Sequence, residues 1–139
     1  MRRGEIIQVA GSVVDVRFPC GSLPRIREAL RVDLDGKQRV MEVAQHLSAE
    51  TVRCIMLTES EGLARGMVVT GEGSGLRVPV GKCTLGRLFN VFGDTIDGGE
   101  AIGADEPRRG IHRKPPAFDE QDPSVDILET GIKVIDLLE

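Results

Sequence analysis

The chain has 139 residues, a formal net charge of −4, 40% hydrophobic residues and 29% charged residues. This length allows one ordinary domain, or a small domain with part of another. Aromatic residues make up only 3%, with no Trp and no Tyr. The acidic charge and the scarcity of aromatic side chains argue against nucleic-acid binding, which uses basic surfaces and stacking platforms.

The cysteine pattern and the apolar runs bear on the compartment. Cys20, Cys54 and Cys83 are odd in number and widely spaced. This pattern fits neither a disulfide framework nor a metal-binding knuckle. No apolar run approaches the roughly 20 residues that a membrane-spanning helix needs. The first residues lack the apolar segment of a signal peptide. The sequence therefore predicts a soluble chain from a reducing compartment, which can still belong to a membrane-attached assembly.

Short apolar–polar alternations begin near Glu5 and predict β-strands. In the run 13–18, apolar residues occupy every second position, as they do in a half-buried strand. A second run covers 30–34 and leads into Asp35-Gly36, the residue types that a tight hairpin takes at positive φ. The pattern predicts an antiparallel pair at this point.

Three further strands are predicted at 40–47, 51–58 and 67–70. One face of the first is predicted to carry Met41, Val43, Gln45 and Leu47. Several short strands at this regular spacing are typical of a barrel or a sandwich. Closure into a barrel removes the unpaired edges that an open sheet of this size would expose.

The residues after 70 do not form the pattern of a finished domain. Glycines at 71, 73 and 75 predict a flexible joint, a domain boundary and a candidate hinge. Thr84 is then predicted to cap a short helix that ends at Gly93. The apolar residues at helical spacing in that segment are Leu85, Leu88, Phe89 and Phe92.

The last forty residues are predicted to be mostly extended. Asp97-Gly98-Gly99 predicts a turn, and the proline-bearing run 107–123 predicts a semi-rigid connection. Thr130 is predicted to cap a final helix with Ile132 and Ile135 on one side. That helix needs apolar cover that the remaining sequence does not supply.

The segment 75–83 nearly matches a phosphate-binding loop, but it departs from that motif in three ways. Five residues separate its glycines instead of four, and Cys83 replaces the hydroxyl residue that binds Mg²⁺. Pro79 also lacks the N–H that such a loop would direct at phosphate. A plain turn is favoured over a nucleotide site.

Other polar groups also lack the spacing of a site. The segment 94–100 lacks calcium-loop spacing, and neither His46 nor His112 has a partner at metal-ligand spacing. The acidic residues expected to be solvated or at a helix start are Asp119, Glu120, Asp122, Asp126 and Glu129. The basic residues expected to be solvated, or else to face an anionic partner, are Arg108, Arg109, Arg113 and Lys114.

Segments along nearly the whole chain resemble the catalytic beta subunits of F-type ATP synthases. They are GEIIQV at 4–9, GSVVDV at 11–16, EVAQHL at 42–47, TVR at 51–53, GLARGM at 62–67, VPVG at 78–81, TLGRLFNVFG at 84–93, ID at 96–97, IHR at 111–113 and ILETGIKVIDLL at 127–138. Related rotary subunits and secretion or flagellar ATPases share the 131–133 region more loosely. The AQHL and LFNV pieces resemble the beta type.

The resemblance implies a mainly β fold. Residues 1–72 are expected to form an N-terminal six-stranded antiparallel β-barrel. Residues 73–139 are expected to form a linker and the incomplete start of an α/β P-loop nucleotide-binding domain. The barrel is expected to form the crown of a hexamer in which beta subunits alternate with alpha subunits. The whole subunit would then act at the cytoplasmic face of a membrane, as a peripheral part of the complex.

The resemblance also implies which chemistry belongs to the parent subunit. That subunit makes or hydrolyses ATP, using Mg-ATP or Mg-ADP and phosphate, as the central-stalk gamma subunit turns and ions cross the membrane. The family's phosphate loop, Mg²⁺ ligands and catalytic glutamate are expected beyond Leu138. No catalytic, cofactor-binding or metal-ligating residue is therefore assigned here, no cofactor is expected, and this stretch is predicted to be inactive by itself.

Two expectations concern what the stretch binds. Self-association is predicted through apolar residues that lack cover, and no nucleic-acid partner is expected. These apolar residues are Leu85, Phe89, Phe92, Ile132 and Ile135. One alternative is a non-catalytic rotary-ATPase subunit. Another is a stand-alone small barrel that acts as a binding module.

Overall fold

A computed structural model describes residues 2–121, 127 and 129–138. Its strands are β1 (Arg2–Ala10), β2 (Val13–Arg17), β3 (Ala29–Leu34), β4 (Lys37–His46), β5 (Thr51–Met56), β6 (Val68–Gly71), β7 (Arg77–Pro79) and β8 (Arg108–Gly110). Short 3-10 helices cover Lys82–Thr84 and Phe118–Glu120, and helix α1 covers Lys133–Leu138. None of these helices is long and apolar enough to cross a bilayer, within the part of the chain described.

The first six strands close into a barrel in the order β1-β2-β5-β4-β3-β6. Every pairing in it is antiparallel. Closure gives each strand two partners, so the barrel has no free sheet edge. The predicted mainly β fold with a six-stranded antiparallel barrel is confirmed.

Alternate residues of the barrel strands point inward and form one apolar core. The two clearest sequence patterns, in β2 and β5, supply Val14, Val16, Val52 and Cys54, none of which is exposed. Burial of apolar surface of this kind is the main favourable term in folding. The full core consists of Ile6, Val14, Val16, Phe18, Leu30, Val32, Met41, Val43, Val52, Cys54, Met56 and Val69.

A tight turn joins β3 to β4 at the predicted position. Asp35 has φ 52° and Gly36 has φ 75°. Two consecutive residues at positive φ match the twist of a two-residue hairpin. The Gly36 N–H also donates to Asp33 Oδ1 at 3.2 Å, which helps to fix the turn.

The single face predicted for Met41, Val43, Gln45 and Leu47 is correct for the first two residues and wrong for the last two. Met41 and Val43 are buried, but Gln45 is exposed and Leu47 is 42% exposed. The register with β5 shifts between Val43 and Gln45. A β-bulge of this kind adds one residue to the strand, so the residues after it no longer follow the original alternation.

The helix predicted from Thr84 to Gly93 does not form. The 3-10 helix at Lys82–Thr84 is followed by a bent loop with an isolated bridge between Phe89 and Thr95. The Asn90 side-chain oxygen accepts the N–H groups of Phe92 at 2.9 Å and Asp94 at 3.0 Å. Local bonds of this type offer the backbone an alternative to the helix, and here they outweigh the apolar spacing.

The remaining predictions after 70 have mixed outcomes. The turn at Asp97 is present, with Gly98 at φ 75° and the Gly99 N–H on Asp97 Oδ1 at 2.9 Å. The connection 107–123 is described as far as 121, and the prediction that it lacks helix and sheet is wrong, because it contains β8 and a 3-10 helix. The final helix is confirmed as α1, and Thr130 Oγ1 accepts the Ile132 N–H just before it at 3.1 Å.

Candidate functional site

A bidentate ion pair lies across two neighbouring strands of the barrel. Asp15 of β2 faces Arg53 of β5 in the strand register. Arg53 Nε donates to Asp15 Oδ1 at 2.8 Å, and Arg53 Nη2 donates to Asp15 Oδ2 at 2.9 Å. Although Asp15 is only 6% exposed, the bonds from Arg53 hold the pKa of its carboxyl below its ordinary value of 3.8. The pair is a charged cross-link between strands.

A second buried carboxylate, Glu28, joins three parts of the barrel. Arg2 Nη1 donates to both of its carboxylate oxygens at 2.9 Å. The backbone N–H groups of Arg25 and Gly73 donate to the same carboxylate, each at 3.0 Å. Since Glu28 is 3% exposed, these bonds replace its contact with water. Glu28 thereby fastens the start of β1 and the chain exit after β6 to the turn before β3.

The chain stays against the barrel after it leaves β6. The Ala29 N–H of β3 donates to the Ser74 carbonyl at 3.0 Å. Further on, β7 and β8 form a two-stranded antiparallel sheet. After β8, the ring nitrogen Nε2 of His112 lies 2.9 Å from Glu42 Oε2 on β4. The second half of the chain is thus tied to the barrel at two separate strands.

Arg87 and Asp97 organise the loop that replaces the predicted helix. The Arg87 guanidinium binds both oxygens of the Asp97 carboxylate and also donates to the Glu100 carbonyl at 2.7 Å. Asp97 further accepts the Leu88 N–H at 3.3 Å. The bonds from Arg87, followed by the Gly99 N–H, lower the pKa of Asp97. Its carboxylate therefore stabilises the loop as an anion and is not available as a proton donor.

Two apolar side chains stand out on the outer wall of the barrel. Ile55 of β5 is 47% exposed and Val68 of β6 is 58% exposed. Because β5 and β6 are three positions apart in the six-strand order, these residues lie on opposite sides of the barrel. Val68 borders a shallow concavity of about 380 Å³ that is also lined by Arg3, Glu5, Arg17, Phe18 and Glu50.

Residues 6–73 match the family model described as ATP synthase alpha/beta family, beta-barrel domain. The matched residues run from within β1 to just past β6, so they coincide with the closed barrel. The barrel is similar to the beta-barrel domain of the ATP synthase alpha/beta family. The match supports the sequence prediction at the level of the alpha/beta family. The match does not distinguish the beta type from the alpha type.

The motif residues on which the resemblance to the beta type rests have structural roles. His46 of the AQHL piece places Nε2 2.7 Å from the Pro24 carbonyl, which holds the long β2–β3 connection against the end of β4. Asn90 of the LFNV piece fixes the loop between Leu88 and Thr95 through its side-chain bonds. Both residues act by positioning backbone.

The segment 75–83, which nearly matches a phosphate loop in sequence, contains a β-strand instead of such a loop. Arg77–Pro79 is strand β7 and pairs with Arg108–Gly110 of β8. Backbone N–H groups engaged in a strand ladder alternate in direction and do not converge on one anion. The plain turn predicted here is wrong for 77–79, which form a strand. The expectation that the segment 75–83 binds no nucleotide stays a prediction.

The other sequence candidates also occupy structural positions. The three cysteines are free, and burial raises the pKa of the Cys54 thiol to about 12, which excludes it as a nucleophile at neutral pH. Among residues 2–121, 127 and 129–138, no group of three or more His, Cys, Asp or Glu side chains is placed to hold a metal ion. Asp119, Glu120 and Glu129 are exposed, and Asp122 and Asp126 lie outside the described residues.

The sequence analysis missed Asp15 and Glu28, the two buried carboxylates. A signal existed for Asp15, because it interrupts the apolar run Val13-Val14-Asp15-Val16 in the middle of a strand. A charged residue at such a position needs a partner of opposite charge. Arginine suits a carboxylate best, because it can donate two parallel hydrogen bonds to it. Glu28 gave no comparable signal, since its partners at Arg2 and Gly73 are distant in sequence.

Proposed function

We propose that this sequence is the N-terminal portion of a catalytic beta-type subunit of a rotary, ion-translocating ATP synthase. In this proposal the barrel forms the crown of a hexamer, where beta-type and alpha-type subunits alternate. The observation that carries it is the closed six-stranded barrel whose residues match the ATP synthase alpha/beta barrel domain. The beta type is proposed from the AQHL and LFNV pieces.

The outer surface of the barrel supports a position within a ring. A subunit in an alternating ring meets two different neighbours, so it needs two contact faces on roughly opposite sides. Ile55 and Val68 provide exposed apolar side chains on opposite walls. Because the buried centre of a protein contact is apolar and its rim polar, each side chain is proposed as the centre of one contact face.

The internal bonding of the barrel supports a role as a firm collar. Closure, the Asp15–Arg53 cross-link and the Glu28 cluster each resist deformation of the wall. In a rotary enzyme, a fixed rim confines stalk-driven movement to the parts below it. The barrel therefore organises the ring, and ATP chemistry with Mg²⁺, nucleotide and phosphate belongs to other parts of the subunit.

Ring assembly tests the proposed contact faces. In the full-length subunit, Ile55→Lys and Val68→Lys should each lower the yield of hexamer formed with alpha-type subunits, measured by native mass spectrometry. A buried lysine without a partner is costly at an interface. Ile111→Lys is the matched control, because Ile111 is also 47% exposed but lies outside the barrel. Unchanged assembly by both barrel variants would contradict the proposal.

Sequencing the gene that encodes the whole subunit distinguishes the beta type from the alpha type. Beyond the codon for Leu138, the proposal expects a phosphate loop followed by the catalytic glutamate. A phosphate loop without that glutamate would select the non-catalytic subunit instead.

A further inference from the structure

A polar cleft lies between the barrel and the segment that follows it. Its volume is about 280 Å³. The barrel side is formed by β3 and the start of β4, and the other side by the chain after the exit and by β8. The charged residues that line it are Arg31, Glu72, Arg77 and Arg108.

The cleft carries an excess of positive charge. Three arginines and one carboxylate line it. The single ion pair among them is weak, because Arg31 Nη1 lies 3.4 Å from Glu72 Oε1 and both side chains are about half exposed. Within the described residues, no carboxylate pairs with Arg77 or Arg108.

Arg77 is held in place while most of its donors stay free. Its Nη2 donates to the Arg108 carbonyl at 2.9 Å. A guanidinium carries five N–H donors in a planar fork, so this bond leaves several for a ligand. Holding the side chain in advance reduces the conformational entropy that ligand binding would cost.

We propose that this cleft binds a small tetrahedral oxyanion of the inorganic phosphate class. Guanidinium groups match the oxygens of phosphate with paired hydrogen bonds, and three arginines line this cleft from two parts of the chain. Arg31 belongs to the barrel, whereas Arg77 and Arg108 belong to the small β7–β8 sheet. The bound anion fastens that sheet to the barrel. This inference stands independently of the proposed ring assembly.

Titration of the 139-residue chain with inorganic phosphate tests the site. Amide chemical shifts of 74–76 and 108 should change saturably in heteronuclear NMR spectra, at constant ionic strength. Arg108→Gln should weaken phosphate binding by about tenfold, because it removes charged hydrogen bonds from the ligand. The Arg77 bond survives in this variant, since its acceptor is the main-chain carbonyl. Arg31→Gln should weaken binding similarly from the barrel side.

Arg109→Gln is the matched control. Arg109 is the next residue on β8, is exposed, and does not line the cleft, because successive strand residues point to opposite faces. Its phosphate affinity should equal that of the unmodified chain. An equal loss in Arg109→Gln and Arg108→Gln would overturn the proposal, as would shifts that chloride reproduces at the same ionic strength. Tighter saturation of the same amides by succinate would overturn the phosphate class.

Discussion

At the scale of residues, the barrel is defined by how it accommodates two buried carboxylates. Asp15 meets a bidentate arginine on the neighbouring strand, and Glu28 meets an arginine and two backbone N–H groups. A buried carboxylate without such partners would be strongly destabilising. The arginine partners therefore matter here mainly because their removal would leave a buried carboxylate without a hydrogen-bond partner.

Arg53→Met should lower the free energy of unfolding by about 1–3 kcal/mol, because it leaves Asp15 buried without its two hydrogen bonds. Chemical denaturation of the purified chain at neutral pH measures the change. Arg17→Met is the matched control, since Arg17 lies 3.5 Å from Glu5 and both side chains are about half exposed. That surface pair should contribute less than about 1 kcal/mol. Equal losses in the two variants would contradict the buried role of Asp15.

Acid should remove the contribution of the Asp15–Arg53 pair. The pKa of Asp15 is lowered in the folded chain, mainly by its bonds from Arg53, so the unfolded chain takes up a proton first as pH falls. The stabilisation is thus complete above the ordinary pKa of 3.8 and is lost as pH falls through the lower folded-state pKa. The stability difference between the original chain and Arg53→Met should shrink over that acid range in denaturation at a series of pH values. Asp97 and Asp136 also have lowered pKa values, but they affect both proteins equally. A pH-independent difference would contradict this assignment.

At the scale of elements, two local features explain why the apolar pattern predicted the wrong structure: side-chain hydrogen bonds in the loop 85–92 and a bulge in β4. Positions 85–92 have helical apolar spacing, but the Asn90 side chain and the Asp97 carboxylate take the N–H groups that a helix would use. In β4, a bulge after Val43 reversed the expected face of the following residues. Neither device has a dependable signature in one sequence. The strands without bulges or competing side chains, such as β2 and β5, followed their alternation throughout.

Glu28→Ala tests how the elements are joined at the barrel exit. It should lower the free energy of unfolding by about 2–4 kcal/mol, because it leaves Arg2 unpaired and two backbone N–H groups without their acceptor. Hydrogen exchange of the Gly73 amide should also become faster. The adjacent Glu72→Ala is the control, since Glu72 is half exposed and makes one long bond of 3.4 Å. An unchanged Gly73 exchange rate in Glu28→Ala would show that the exit is held by other contacts.

At the scale of the whole molecule, the buried apolar packing is concentrated in the barrel. The apolar core lies entirely within β1–β6 and the residue that follows β2. Leu85 is 76% exposed, Ile132 is 55% exposed and Ile135 is 44% exposed. The predicted lack of cover is confirmed for these three side chains, whereas Phe89 and Phe92 are partly covered. Self-association through such residues stays a prediction.

Hydrogen exchange should separate the two halves of the isolated chain. Amides of the barrel strands should be strongly protected, because their opening requires unfolding of the core. Amides after Pro107 should exchange rapidly, since few apolar contacts hold that region. Mass spectrometry of peptide fragments measures both regions in one experiment. Uniform protection at high concentration would indicate that the exposed apolar residues have found cover in an oligomer.

The sequence by itself determined the class of fold, the inward positions of β2 and β5, and the β3–β4 hairpin. These features depend on neighbouring residues, through side-chain alternation and local φ preferences. Only the tertiary structure decided the Asp15 and Glu28 clusters, the bulge in β4, the opposite placement of Ile55 and Val68, and the arginine cleft. These features depend on strand order, on register and on contacts between residues far apart in the chain, none of which a local residue pattern specifies.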